Sequence, residues 1–145
     1  MKEKNELLLH IYKDAEMGAY TTSKLLEDLK KKDNKIKKAL EDTLKDYQKF
    51  ASIAKEYLEK DNAEIKENGA FSKMMAKMGI NKEVEADNSD AAMADMLIKG
   101  ISMGSIEMTK KIKAYEKEVT KDELNFAKSF LKFQEKTIEI YKDYL

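Results

Sequence analysis

Apolar positions recur with helical spacing in four long segments and change character in one stretch between them. In the first, Leu7, Leu8, Ile11, Ala15, Gly18, Ala19, Thr22, Leu25, Leu26 and Leu29 share one stripe, which predicts a helix over residues 3–30. A lysine-rich turn at residues 30–32 leads to Asp33 or Asn34 as a cap for the second helix. There Ile36, Leu40, Thr43, Leu44, Tyr47, Phe50, Ala51, Ala54, Tyr57, Leu58 and Ile65 turn inward, and Gly69 is placed to stop the helix after Asn68. From Gly69 to Ser89 the pattern shortens. Phe71, Met74, Met75, Met78 and Ile80 make a short amphipathic piece closed by Gly79, its methionines reading as adaptable packing residues; Glu83, Glu85, Asp87 and Asn88 follow as an acidic run. A third long helix, starting after a cap at Asn88, Ser89 or Asp90 and ending near Lys117, carries Met93, Met96, Leu97, Gly100, Met103, Gly104, Met108 and Ile112 on one broad face. The fourth has the clearest start. Thr120 and Glu123 form a capping box between Val119 and Leu124 as a hydrophobic staple, and Phe126, Ala127, Phe130, Phe133, Gln134, Thr137, Ile140, Tyr141 and Tyr144 form its inner stripe.

Composition narrows this all-α reading. The chain has 145 residues, enough for a single domain, residues 1–145, with one sizeable core. Charged residues make up 39%, well above the usual quarter, which suits long helices in a narrow bundle with much surface for little interior. Absent proline and only five glycines leave few strand or turn signals. Absent cysteine removes disulfides, thiolate nucleophiles and cysteine-ligated metal. All 28 basic residues are lysine and the formal net charge is zero, so without arginine's bidentate fork no nucleic-acid partner is expected. Lys2, Glu3, Lys4 and Glu6 precede only a brief leucine run, and no apolar run approaches membrane-spanning length. The expectation is therefore a cytoplasmic protein with no membrane partner. No nucleophile–histidine constellation or phosphate-binding glycine loop gives hydrolase or nucleotide chemistry a starting point, and no catalytic residue is assigned.

The connector of about twenty residues either folds locally or runs the bundle's length, making the second and third long helices parallel. A short helix plus ten or so extended residues reaches roughly 40 Å, so the second course is feasible. The helix midpoints, near Met17, Phe50, Met103 and Phe133, then meet at one level. Glu107 falls within the third helix's apolar face beside Gly100 and Gly104, where a carboxylate is costly unless paired. Hydrogen bonds from Gln134, Thr137 or the Tyr47 hydroxyl, or protonation, are the expected remedies. His10 lies off the first stripe, one turn from Asp14, as an i,i+4 pair at its margin. Three mid-helix glycines, Gly18, Gly100 and Gly104, each cost roughly 1 kcal/mol against alanine. Close helix approach, room for Tyr47, Phe50 or Phe133, and a small-molecule cavity are the competing reasons for them.

Helix order, helix lengths and the long connection together resemble the ferritin-like superfamily over the whole chain. The segments Tyr12-Lys13-Asp14-Ala15-Glu16-Met17-Gly18, residues 71–80 and Ile101-Ser102-Met103-Gly104 also resemble ferritin-like proteins of Firmicutes that lack the di-iron ligands. The resemblance implies an antiparallel four-helix bundle whose long crossover, containing a short helix, joins the second and third long helices. Di-iron members of that superfamily use a Glu from each of two helices and Glu-x-x-His from each of the other two. Here the second long helix offers Tyr47-x-x-Phe50 and the fourth Gln134-x-x-Thr137. The first offers Gly18 and Thr22 with Asp14 at the margin, so Glu107 alone matches the pattern. The expectation is a non-enzymatic ferritin-like bundle without a cofactor, acting as a structural or protein-interaction module, with a homo-oligomer among its assemblies. One alternative is a divergent metal-binding or redox protein holding iron or manganese with Glu107, Asp14 and His10. The other is a small-ligand carrier using the glycine-lined mid-bundle.

Overall fold

The computed structural model describes residues 2–145, with side chains from Asn5 onward. Among the described residues there are five α-helices and no strand: α1 (Lys2–Asp28), α2 (Lys37–Lys60), α3 (Ala70–Ala86), α4 (Asp90–Tyr115) and α5 (Lys121–Lys142). The four longest occupy the segments marked out by the hydrophobic stripes. α1 packs on α2 and α4 packs on α5; α1 also meets α4 and α5, and α2 meets α5, while α2 and α4 do not pack on each other. No helix among the described residues is long and apolar enough to cross a membrane.

Capping explains where the helices begin. The Ser89 hydroxyl accepts from the Ala92 N–H at 3.2 Å to open α4. The capping box of α5 forms with both of its hydrogen bonds, Thr120 N–H to Glu123 and Glu123 N–H to Thr120 Oγ1. No neighbouring side chain in its own segment caps α2. Its exposed N–H groups are instead met from α4: the Asp90 carboxylate accepts from the Lys35 and Ile36 N–H groups at 3.0 and 3.3 Å. It also accepts from Asn34 Nδ2 at 2.9 Å, and Asn34 donates to the Asn88 carbonyl as well. A carboxylate at a helix N-terminus is favoured by the helix dipole, so one residue both starts α4 and finishes α2. The N-termini of α2 and α4 therefore meet at one end of the molecule.

The end of α2 corrects the expectation that Gly69 would stop it. The helix ends at Lys60, because Asn62 adopts a left-handed φ of 52°. Asn62 N–H then bonds the Glu59 carbonyl at 3.1 Å and Ala63 N–H the Leu58 carbonyl at 3.0 Å, the closing pair of a Schellman turn. Asparagine tolerates that conformation better than other side-chain-bearing residues, so it does here what glycine was expected to do further on. Gly69 instead caps the start of α3 in extended conformation. Between them, residues 63–69 are strapped to α1: Tyr12 donates to the Glu67 carboxylate at 2.8 Å, and Asn68 Nδ2 to the Lys13 carbonyl at 2.9 Å.

α3 is a second correction. It runs through Gly79 to Ala86 and places only Ile80 and Val84 in the core. Phe71, Met74, Met75 and Met78, expected to pack inward, are 50–70% exposed. They repeat as an apolar stripe at i, i+3, i+4 and i+7, but α3 seats the opposite stripe, Ala76, Ile80 and Val84, on α1 and α4. Periodicity identifies an apolar face; it does not say which face a neighbour covers.

The interior divides into two clusters. One gathers Leu7, Leu8, Ile11, Ala15, Tyr47, Ala54, Leu58, Met108, Phe126 and Phe130, with Phe50 and Phe133 against it. The other gathers Leu25, Leu29, Ile36, Leu40, Ile80, Met93, Ile101 and Tyr141. The chemistry lies where the two meet.

Candidate functional site

The carboxylate that turns inward at this level is the part-buried Asp14, not Glu107. The Glu107 side chain is 55% exposed and sits 3.5 Å from Lys110, so the expected pairing with Gln134, Thr137 and Tyr47 does not form. The physical reason is a phase error. The stripe α4 buries runs through Met93, Ala94, Ile101, Met108 and Ile112, and Glu107 lies roughly 100° from Met108 around the helix. Met103, 71% exposed, had drawn the apparent face toward Glu107. Gly100 and Gly104 have no side chain to correct it.

Asp14 takes the vacant role because it stands one turn from both Ile11 and Gly18 on α1, at the edge of the buried stripe. Gln134, 2% exposed on α5, donates from Nε2 to Asp14 Oδ2 at 3.0 Å. Burial pushes the Asp14 carboxyl up to about 6, with the Gln134 hydrogen bond pulling the other way. The Gln134 carbonyl oxygen is buried without a hydrogen-bond partner. Thr137, also buried, spends its hydroxyl on the Phe133 carbonyl at 2.7 Å, as a helical threonine commonly does. Burial raises the Tyr47 phenol well above its usual range, and the charge on nearby Asp14 adds to this. A further pair went unnoticed in the sequence: Tyr141 donates to Thr43 Oγ1 at 2.8 Å, and the Thr43 hydroxyl donates in turn to the Ala39 carbonyl. Both residues fell on inward stripes, and a tyrosine facing a threonine across two buried stripes was the available signal.

The glycines serve three different ends. At Gly18 a Cβ would stand 2.4 Å from the Tyr47 ring, so this glycine makes room for Tyr47. At Gly104 a Cβ would meet Gln134 Nε2 at 3.1 Å and Asp14 Oδ2 at 3.5 Å, so this one leaves the polar pair uncovered. At Gly100 a Cβ would meet nothing within 4 Å. That space belongs to a cavity of about 450 Å³ lined from all five helices, including Asp14, Gly18, Thr22, Tyr47, Gln134 and Tyr141. Gly79, Glu83 and Gly100 are its exposed lining residues, which puts the mouth between α3 and α4.

His10, Asp14 and Glu107 also line a shallower groove on the outer side of the same layer, together with Lys13, Met17, Asn68, Met103 and Gly104. The His10 imidazole is lowered below its usual range, first by burial and then by Lys111, and its Nε2 has no hydrogen-bond partner. These three do not assemble as ligands: no group of three His, Cys, Asp or Glu side chains able to hold a metal ion exists among the described residues. Their chemistry fits a di-iron centre no better. Asp14 is a single carboxylate at this level, and Tyr47, Phe50, Gln134 and Thr137 supply no carboxylate or imidazole where the pattern needs them. No protein-family model, curated protein or solved structure matches the chain.

Proposed function

We propose that this chain is a non-enzymatic ferritin-like bundle that binds a small molecule in its mid-level cavity. The cavity carries this reading. About 450 Å³, walled by apolar side chains with a few convergent polar groups, has the size and character of a ligand pocket rather than of a packing defect. The ferritin-like arrangement is supported by the meeting of the α2 and α4 N-termini at Asp90 and by the separation of α2 from α4. Residues 61–89 then serve as the crossover, with α3 as its short helix. The donor set around Asp14 argues against iron or manganese as the resident group. A fragment screen read by amide chemical shifts tests the reading. Bound fragments should move the amides of Gly18, Gly100 and Gly104; fragments that bind while leaving all three unmoved, or a screen with no binders, would overturn it.

A second reading rests on the exposed stripe of Phe71, Met74, Met75 and Met78. An apolar surface of this kind marks interaction sites, here with a protein partner or a second copy of the chain. Light scattering on the Met75→Glu, Met78→Glu double variant tests it: a drop in mass relative to the wild type supports self-association through α3.

A further inference from the structure

The cavity has walls of one charge sign. Its ionisable lining consists of Asp14 and Glu83, with the phenols of Tyr47 and Tyr141. No lysine lines it, although lysine supplies all 28 basic residues of a 145-residue chain. No cationic side chain thus lines the cavity beside this carboxylate. What stabilises the Asp14 charge is the Gln134 amide alone. That bond takes up Oδ2 and leaves the other oxygen with no protein donor among the described residues. Gly104 keeps the pair open, since a Cβ there would press on Gln134 Nε2 and lie against Asp14 Oδ2. Beyond it the walls turn apolar, with Leu25, Ile80, Leu97 and Ile101. A part-buried carboxylate with one oxygen left over can accept a charge-assisted hydrogen bond from a cationic ligand. The apolar space beside it is an unmet demand for hydrocarbon.

We propose that the ligand of this cavity is an organic cation: a protonated amine on a compact apolar body, with its ammonium group on Asp14 and its body against Leu25, Ile80, Leu97 and Ile101. This rests on the ligand-binding reading above and adds the chemical class. Glu83 at the mouth favours the same sign of charge on entry.

Calorimetric titration of the full chain at about pH 8 with 2-phenylethylamine and with 2-phenylethanol, which matches it in shape but carries no charge, tests the assignment. The amine should bind about tenfold tighter than the alcohol or better, as a charge-assisted hydrogen bond to a part-buried carboxylate requires. Asp14→Asn should remove that advantage while changing the alcohol's affinity by less than about threefold. A readout without any substitution guards against a variant that fails to fold. Near pH 6, amine binding should release protons from Asp14, detected as a dependence of the binding heat on buffer ionisation enthalpy, whereas the alcohol should release none. Equal affinities, or a tighter alcohol, would overturn the cation class and leave the cavity reading standing. If neither compound binds at millimolar concentration, the cation class and the ligand-binding reading fall together.

Discussion

Around Phe50, ring centroids of Phe126, Phe130 and Phe133 lie 5.1–5.8 Å away and fill the space between α2 and α5. Around Gly100 and Gly104 the walls stand back and leave about 450 Å³. The same helices run through both regions, so the difference comes from side-chain volume at each level. Four phenylalanines close one half; glycines and threonines in the other leave a space that α3 only partly roofs. A close-packed interior resists any loss of volume, whereas one that already contains a cavity has less packing to lose.

The largest test of this contrast is truncation on either side. Phe130→Ala should lower the unfolding free energy by about 3–5 kcal/mol in chemical denaturation, since the ring is fully buried among other rings. Leu25→Ala, equally buried but bordering the cavity, should cost only about 2 kcal/mol, the low end for such a change. Equal losses would remove the distinction between the two halves.

Asp14 marks the polar side of the cavity and makes stability depend on pH. Its folded value near 6 lies above the 3.8 of an unperturbed carboxyl, so folding favours the protonated form. The associated stability is fully present below about pH 4 and is lost as pH rises through 6, a change of up to about 3 kcal/mol. Asp14→Asn lacks this titration. The difference in unfolding free energy between variant and wild type should therefore shift in the variant's favour by about 2–3 kcal/mol from pH 4 to pH 8. A flat difference would mean that Asp14 is well solvated.

The glycines sharpen the comparison with changes of opposite sign. Gly18→Ala should destabilise by about 1–3 kcal/mol, because its methyl meets the Tyr47 ring. Gly100→Ala should stabilise by up to about 1 kcal/mol, since helix propensity improves and nothing is displaced. Paired thermal melts would read both. An effect of comparable size is expected at Tyr141→Phe, which removes the donor to Thr43 while Thr43 keeps its bond to Ala39. About 1 kcal/mol should be lost in denaturant unfolding.

The inward stripes of α1, α2 and α5, apart from Ile140 at 40% exposure, and the capping box were legible in the sequence, because each depends on residues within a few positions of one another. The end of α2 was half legible. Asn62 was an available stop signal within the segment, but the expected stop lay at Gly69. At the candidate site, Gln134, Thr137, Tyr47 and Gly18 could be placed near one level from stripe phase alone. Asp14 could be placed only at the margin, since a residue at a stripe's edge is buried or exposed according to how closely the next helix approaches.

What the sequence by itself determined is therefore local: helix formation, most helix starts, an all-α fold and a polar layer near mid-length. Periods, caps and propensities act over one or two turns and need no partner to express themselves. The tertiary structure alone decided which carboxylate turns inward, which face of α3 and α4 looks inward, and that the glycines border a cavity. Each of these depends on the rotation of one helix against another. That rotation is set by the fit of whole surfaces, and an exposed methionine such as Met103 reads in sequence the same as a buried one such as Met108.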